Sequence, residues 1–307
     1  LSAAVPLPPG VRVFERGWLS ANNILFEGKD HSALVDSGYV LHAEQTVALV
    51  KAALGARPLD ALFNTHLHSD HCGGNAALQA AFPGVRTAVP PGEASAVANW
   101  DEETLSYRAT GQECARFRAD AVVQPGDLLS LADIDWEVHA APGHDPHSVI
   151  LFEPASRTLI SADALWESGF GVVFPELAGE PSFEEVASTL DLIETLDPRI
   201  VIPGHGSIFC DAALALSRSR SRLASFAKSP QRHARHALKV LVKFRLLASR
   251  QMTMVFYQRW LSETPYIEMV RQRFYPDMSM TQLGTELAAD LCNSGVARQD
   301  ADRLIDI

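Results

Sequence analysis

Six consecutive residues, His66-Leu67-His68-Ser69-Asp70-His71, place three imidazoles and a carboxylate on one short piece of chain. A regular helix or strand would spread such side chains around its axis or over two faces. A tight loop lets alternate residues converge on one point, and neutral imidazole and carboxylate are the donors that a zinc ion takes. The run follows a short apolar, strand-like stretch at residues 59–63. After it, Gly73-Gly74 opens a helical stretch through Phe82 that stops at Pro83-Gly84. Strand, histidine-rich loop and helix in that order expose chemistry at a strand end of an α/β fold.

Three more residues occupy the same kind of position downstream. His144 closes Ala141-Pro142-Gly143-His144, Asp163 closes Ser161-Ala162-Asp163, and His205 lies in Pro203-Gly204-His205-Gly206. Each follows a predicted strand, and Pro-Gly sets a tight turn before each of the two histidines. The remaining pattern supports a layered α/β chain. Strands are expected at 11–18, 23–27 and 32–36, with a turn at 27–30 between the last two. A second set is expected at 128–131, 136–140, 148–152, 158–161 and 200–202. Helices are expected at 43–54, closed by Gly55, and at 182–196, where Ser182 and Glu185 read as a capping box. Residues 91–118 read as an irregular helical lid or a surface insertion. Beyond 211 the pattern is helical: Ser229-Pro230 starts one helix, and others are expected at 254–261, 265–274, 280–292 and 299–305.

With these residues in this order, the chain resembles the metallo-β-lactamase superfamily over roughly residues 11–210. The resemblance implies a four-layer αββα sandwich with the site at one edge of two sheets. Residues 1–210 would be the catalytic domain, and 211–307 a mainly helical, basic C-terminal region. It implies two zinc ions, with iron or manganese as alternatives. His66, His68 and His144 would hold one metal, Asp70, His71 and His205 the other, and Asp163 would bridge them. Asp70 would also act in catalysis as a proton shuttle. Such a pair lowers the pKa of a shared water, so the implied reaction is attack of a metal-bound hydroxide on an ester, thioester or lactone carbonyl. True β-lactamases of the commonest zinc class place a cysteine in the second metal's ligand set and lack the histidine found here as His71. The pattern is therefore similar to the glyoxalase II, lactonase and nuclease branches. A phosphodiesterase or nuclease, and a mononuclear iron oxygenase of the persulfide dioxygenase kind, are the competing activities. A non-catalytic metalloprotein is disfavoured by the completeness of both ligand sets.

Charge divides the chain. The net charge is −11, yet residues 1–210 hold 11 Lys/Arg against 28 Asp/Glu, and residues 211–307 hold 15 against 9. Arg232, Arg235, Lys239 and Lys243 recur along one helical stripe, with Leu238, Leu241, Val242 and Leu246 off it. His233 and His236 lie in the same basic stretch and would add to its charge. Three readings stand for this region. It is a solvated or docking face, including a homodimer surface; or it recognises an anionic small substrate such as a glutathione or coenzyme A thioester; or it binds nucleic acid. Residues 278–307 resemble the winged-helix-like appendage of a related group, but Phe226 and Phe244 are the sole aromatics between 212 and 250 to stack bases. Trp166, Phe170 and Phe174, just after Asp163, either wall the site or pack beneath their loop. His147 is a candidate pocket residue, while His31, His42 and His139 read as structural. No apolar run reaches the length of a transmembrane helix. Residues 1–10 lack the basic and apolar regions of a signal peptide. Four scattered cysteines fit a reducing, cytoplasmic setting, with Cys72 and Cys210 read as small buried residues.

Overall fold

Strands buried on both faces build two sheets face to face, each with one face on the other sheet and one on helices. In a computed structural model describing residues 6–307, the first sheet runs β1 (Val11–Phe14), β2 (Asn23–Glu27), β3 (Ser32–Val35), β4 (Ala61–Phe63), β5 (Arg86–Val89) and β6 (Ala121–Val122) in chain order. Residues 1–5, part of the stretch read as lacking a signal peptide, lie outside the described residues. β1 to β3 are antiparallel, and β3 to β6 are parallel. The parallel steps are made by α1 (Ala43–Leu54), and by α2 (Ser69–Cys72) with α3 (Asn75–Ala81). The short helices α4 (Ala94–Asn99) and α5 (Tyr107–Thr110) precede β6.

The second sheet has the order β11-β10-β9-β8-β7, from β7 (Leu128–Leu131), β8 (Ile134–Ala140), β9 (Val149–Glu153), β10 (Thr158–Ala162) and β11 (Ile200–Pro203). Ile24, Phe26 and Val35 of the first sheet meet Trp136, Val138, Leu151 and Ile160 of the second in a central core. Their neighbours Leu25 and Leu34 face the other way, onto Val50, Leu54 and Leu78 of α1 and α3. On the far side, Ile150, Phe152 and Leu159 pack on α7 (Ser182–Leu196) and α8 (Ala212–Lys228). The layers are helix, sheet, sheet, helix, as expected. The outer helical layer is completed by α8, which lies beyond residue 210. Between β10 and α7 lies the short α6 (Phe174–Ala178).

The remaining chain has its own core. α9 (Pro230–Ser249), α10 (Met254–Glu263), α11 (Pro265–Phe274) and α12 (Met280–Asn293) surround Leu238, Leu241, Val242 and Leu246. β12 (Gln251–Thr253), β13 (Ala297–Asp300) and β14 (Arg303–Asp306) form a three-stranded sheet in the order β12-β14-β13. Residues 299–305, expected as a helix, are therefore a hairpin. The expected Ser182 cap is also replaced: the side chain of Pro181 caps nothing, and Glu176 Oε2 accepts from the Phe183 amide at 2.9 Å. No helix of the described residues is long and apolar enough to cross a membrane.

Candidate metal centre

Five strand ends meet at one edge of the sandwich. β3 ends at Asp36, β4 at the loop carrying His66 and His68, and α2 then supplies Asp70 and His71. From the second sheet, the turn after β8 brings His144, β10 brings Asp163 and β11 brings His205. The β10–β11 register shifts between Ile160 and Ala162, and Ala162 has a positive φ of 45°. This bulge turns the chain just before Asp163 and aims its carboxylate at the site. Gly204 is required beside it, because a Cβ there would lie 2.2 Å from Asp163 Oδ1. Asn22 clamps the edge: its amide nitrogen Nδ2 donates to Pro203 O at 2.9 Å and Gly206 O at 2.8 Å.

All seven expected ligands come together. Donor atoms of His66, His68 and His144 lie within 4.8 Å of one another, as do those of Asp70, His71 and His205, and those of His66, His71 and Asp163. Asp163 stands between the sets, with Oδ1 3.4 Å from His71 Nε2 and 3.8 Å from His205 Nε2, and Oδ2 3.4 Å from His144 Nε2. The imidazoles are held from behind. His144 Nδ1 donates to Val172 O at 2.6 Å, and His71 Nδ1 donates to Asp36 Oδ2 at 2.8 Å. Asp36 in turn accepts from the Thr65 amide and hydroxyl at 2.9 and 2.8 Å.

Electrostatics match a cation-binding cluster. Burial, reinforced by His71, His68 and His144, pushes His66 well below the usual histidine range, and burial brings His144 down to about 4. Burial alone would lower His71, but Asp163 and Asp36 outweigh it and raise it well above the ordinary value. Burial would raise Asp163, but His205 and His71 overcome it and hold the carboxyl well below the usual range. Among the described residues, buried His66 Nε2 and His71 Nε2 have no hydrogen-bond partner. Buried polar atoms are rarely left this way, so the donor set fits metal ions.

The cluster floors a cavity of about 700 Å³. Val172, Phe174, Val240, Leu241, Phe244 and Tyr266 form an apolar wall, so α9 and α11 close the site as well as the sandwich. Trp166 and Phe174 wall the cavity, whereas Phe170 is buried in the core beneath the second sheet. His147 also lines the cavity, as do Thr104, Ser106, Thr110 and Gln112 from the irregular segment. That segment packs through Tyr107 and Phe117 on Leu67 and Cys72. Cys72 is buried as read, and its sulfur lies 3.8 Å from Cys114 Sγ; Cys210 is exposed, contrary to its reading.

The metallo-beta-lactamase superfamily model matches residues 16–205, more than half of the chain. The chain belongs to this superfamily. Acyl-coenzyme A thioesterase MBLAC2 of Homo sapiens is 28% identical over 225 residues, covering 64% of this chain and 77% of its own length. Hydroxyacylglutathione hydrolase of Anaeromyxobacter dehalogenans is 31% identical over 229 residues, covering 73% and 77%. In fold, a metallo-beta-lactamase family protein from Thermus thermophilus aligns over 98% of this chain and 100% of its own, with a TM-score of 0.58 at 18% identity. The chain is thus a superfamily hydrolase with a His/Asp cluster able to hold metal. Sequence reasoning missed four members of this superfamily site. Trp18 stacks on His205 with centroids 5.5 Å apart. Asp36 orients His71, and Asp145 and Glu93 share the cavity wall. Burial and then Asp145 push Glu93 up to about 9. A usable signal existed for Asp36, at the end of a predicted strand, and for Asp145, beside His144.

Proposed function

We propose that the chain is a dinuclear zinc hydrolase of thioesters. The observation that carries this reading is the Asp163 carboxylate between two sets of donors, most of them buried, at the floor of an apolar-walled cavity. His66, His68 and His144 would hold one ion, Asp70, His71 and His205 the second, and Asp163 would touch both. Metal ions there would supply Lewis acidity toward a carbonyl oxygen and a water acidic enough to lose its proton near neutral pH.

The chain's own groups prepare that chemistry. Val172 O and Asp36 accept from the Nδ1 atoms of His144 and His71, so both Nε2 atoms face the site, and an ion there would displace the proton that Asp163 and Asp36 favour on His71. Asp70 lines the cavity, its Oδ2 faces His205 Nε2 at 3.1 Å on the side where the second ion would be held, and its carboxylate would take the proton from water. Val172, Phe174, Leu241 and Phe244 would cover the acyl part and exclude water from it. The names of the relatives, an acyl-coenzyme A thioesterase and a hydroxyacylglutathione hydrolase, support a thioester over a lactone or plain ester.

We also read residues 230–307 as a winged-helix-like unit. The order of α9, β12, α10, α11, α12 and the β13–β14 hairpin, with β14 central in its sheet, supports this. Its role here would be to wall the active site. α12, the helix that such a unit would offer to a DNA groove, carries Glu286 and Asp290 and no Lys or Arg.

The test is elemental analysis of protein purified without added metal, beside chromogenic thioester, lactone and bis-phosphodiester substrates. About two zinc ions per chain with thioester turnover is expected. His68→Ala should lose most of that turnover and part of the metal while keeping the circular-dichroism spectrum. One iron per chain without hydrolysis, or phosphodiester turnover alone, would overturn the reading.

A further inference from the structure

Next to the metal cavity lies a second cleft, of about 890 Å³, between α8 and α9. Its cations are Arg218 and Arg222 from α8 and Arg232, Arg235 and Lys239 from α9. Ser217, Ser221 and Ser225 recur every fourth residue along the α8 side, so their hydroxyls share its face. Among the described residues, no carboxylate lines it. Arg235 is neutralised by Glu286 and Asp290, at 3.0 and 2.7 Å. Arg218 reaches only the backbone of Glu167, at 3.2 Å. Among the described residues, Arg222, Arg232 and Lys239 make no side-chain hydrogen bond or ion pair.

The two cavities adjoin. Ser168, Arg222 and His236 line both. Arg222 lies at the junction close against Gly169, where a Cβ would come within 2.5 Å of its Nη1. Its guanidinium is half-buried and, among the described residues, unpaired. Uncompensated, partly desolvated charge of this kind is costly unless a ligand supplies the counter-charge. Phe226 and His236, with centroids 5.4 Å apart and planes tilted by 30°, give the cleft an aromatic floor.

We propose that this cleft binds the phosphorylated, nucleotide-like leaving group of a coenzyme A thioester, whose acyl end enters the metal cavity past Arg222 and His236. The inference rests on the thioesterase reading and narrows it. Guanidinium forks and hydroxyls are the donors that phosphate oxygens take. Coenzyme A carries three phosphate groups and an adenine ring. Glutathione carries two carboxylates and an ammonium, and the cleft offers that ammonium repulsion and no acceptor carboxylate. The cleft takes no part in bond breaking; it fixes the thiol half while the carbonyl sits over the cluster.

The test uses the full chain and three probes in calorimetry: coenzyme A, adenosine 3′,5′-bisphosphate and glutathione. The first two should bind, and glutathione at least about tenfold more weakly. The double variant Arg232→Ala/Lys239→Ala removes two unpaired charges at the cleft's edge. It should weaken both nucleotide probes by about tenfold or more. In kinetics the same variant should raise KM for acetyl-coenzyme A by a similar factor. It should leave kcat/KM for the acetyl thioester of N-acetylcysteamine, which lacks phosphates, within about twofold. If parent and variant turn over both thioesters alike, the cleft proposal falls and the hydrolase reading stands. If neither thioester is cleaved but the nucleotide probes bind and lose affinity in the variant, the thioesterase reading falls and the cleft stands. Duplex DNA binding more tightly than coenzyme A, and weakened by the same substitutions, would assign the cleft to nucleic acid and overturn the proposal.

Discussion

Asp36 shows how a residue without cavity contact can govern the metal centre. It sits at a positive φ of 58°, accepts two hydrogen bonds from Thr65, and fixes the tautomer of His71. Asp36→Asn keeps the shape but removes the charge and can present an amide to Nδ1. Metal affinity should fall by roughly 10–100-fold, as for other residues that orient a ligand histidine; competition with a chromogenic chelator would measure it, and unchanged affinity would remove Asp36 from this role. Glu93 gives a pH prediction. Its folded pKa of about 9 exceeds the unfolded value of 4.5, so the folded chain binds the extra proton. Its contribution to stability is therefore full below 4.5 and lost as pH rises toward 9. Glu93→Gln, an uncharged isostere, should raise the melting temperature of metal-free protein more at pH 8 than at pH 5; an equal shift at both would contradict the raised pKa. The seven residues now gathered at the cluster were legible because each follows a strand in a recognisable order. Glu93 was not, since nothing local distinguishes a buried carboxylate in Pro91-Gly92-Glu93 from a surface one.

At the scale of elements, short apolar strands bounded by turns were readable, and so were helices closed by glycine or opened by Ser-Pro. The β13–β14 hairpin was not. Ala297–Asp300 and Arg303–Asp306 are rich in residues that favour helices, and the turn places Ala301, rather than glycine or asparagine, at a φ of 49°. β12 is three residues long, and its partner β14 lies far along the chain. The histidines of α9 read in the sequence as added positive charge, but burial turns them into neutral aromatics. His233 lies against Phe226 and Phe183, with centroids 4.8 and 5.0 Å away, and among the described residues both ring nitrogens lack partners. Burial, with His236 adding to it, lowers its pKa to about 4 from 6.5. The folded chain therefore binds fewer protons than the unfolded one, and stability present above pH 6.5 is lost as pH falls toward 4. His233→Phe should raise the melting temperature by several degrees near pH 5 and by less at pH 8. A difference independent of pH would mean that His233 is not held neutral.

The whole molecule ties specificity to the C-terminal unit. The charge step near residue 211 was visible in the sequence, but the cleft exists only because α8 and α9 fold back as neighbours, one from the sandwich and one from the C-terminal core. Contacts around the cavity mouth fasten that unit over the metal cavity. Tyr266 Oη donates to Phe174 O at 2.7 Å, and Phe244 packs edge-on against Tyr39 with centroids 5.0 Å apart. Phe244 lines the cavity far from the strand-end ligands in sequence, so its removal tests the wall without touching a metal-facing group. Phe244→Ala would expose an acyl chain to water over the area the ring covered. Losing about 1.5 kcal/mol of apolar contact corresponds to roughly tenfold in kcat/KM. A medium-chain acyl thioester should lose about that much, whereas an acetyl thioester, too short to reach the wall, should change by less than about twofold. Equal losses on both chains would mean that Phe244 supports the fold of the cavity as a whole. The wall would then have to be sought among Val172, Val240 and Leu241.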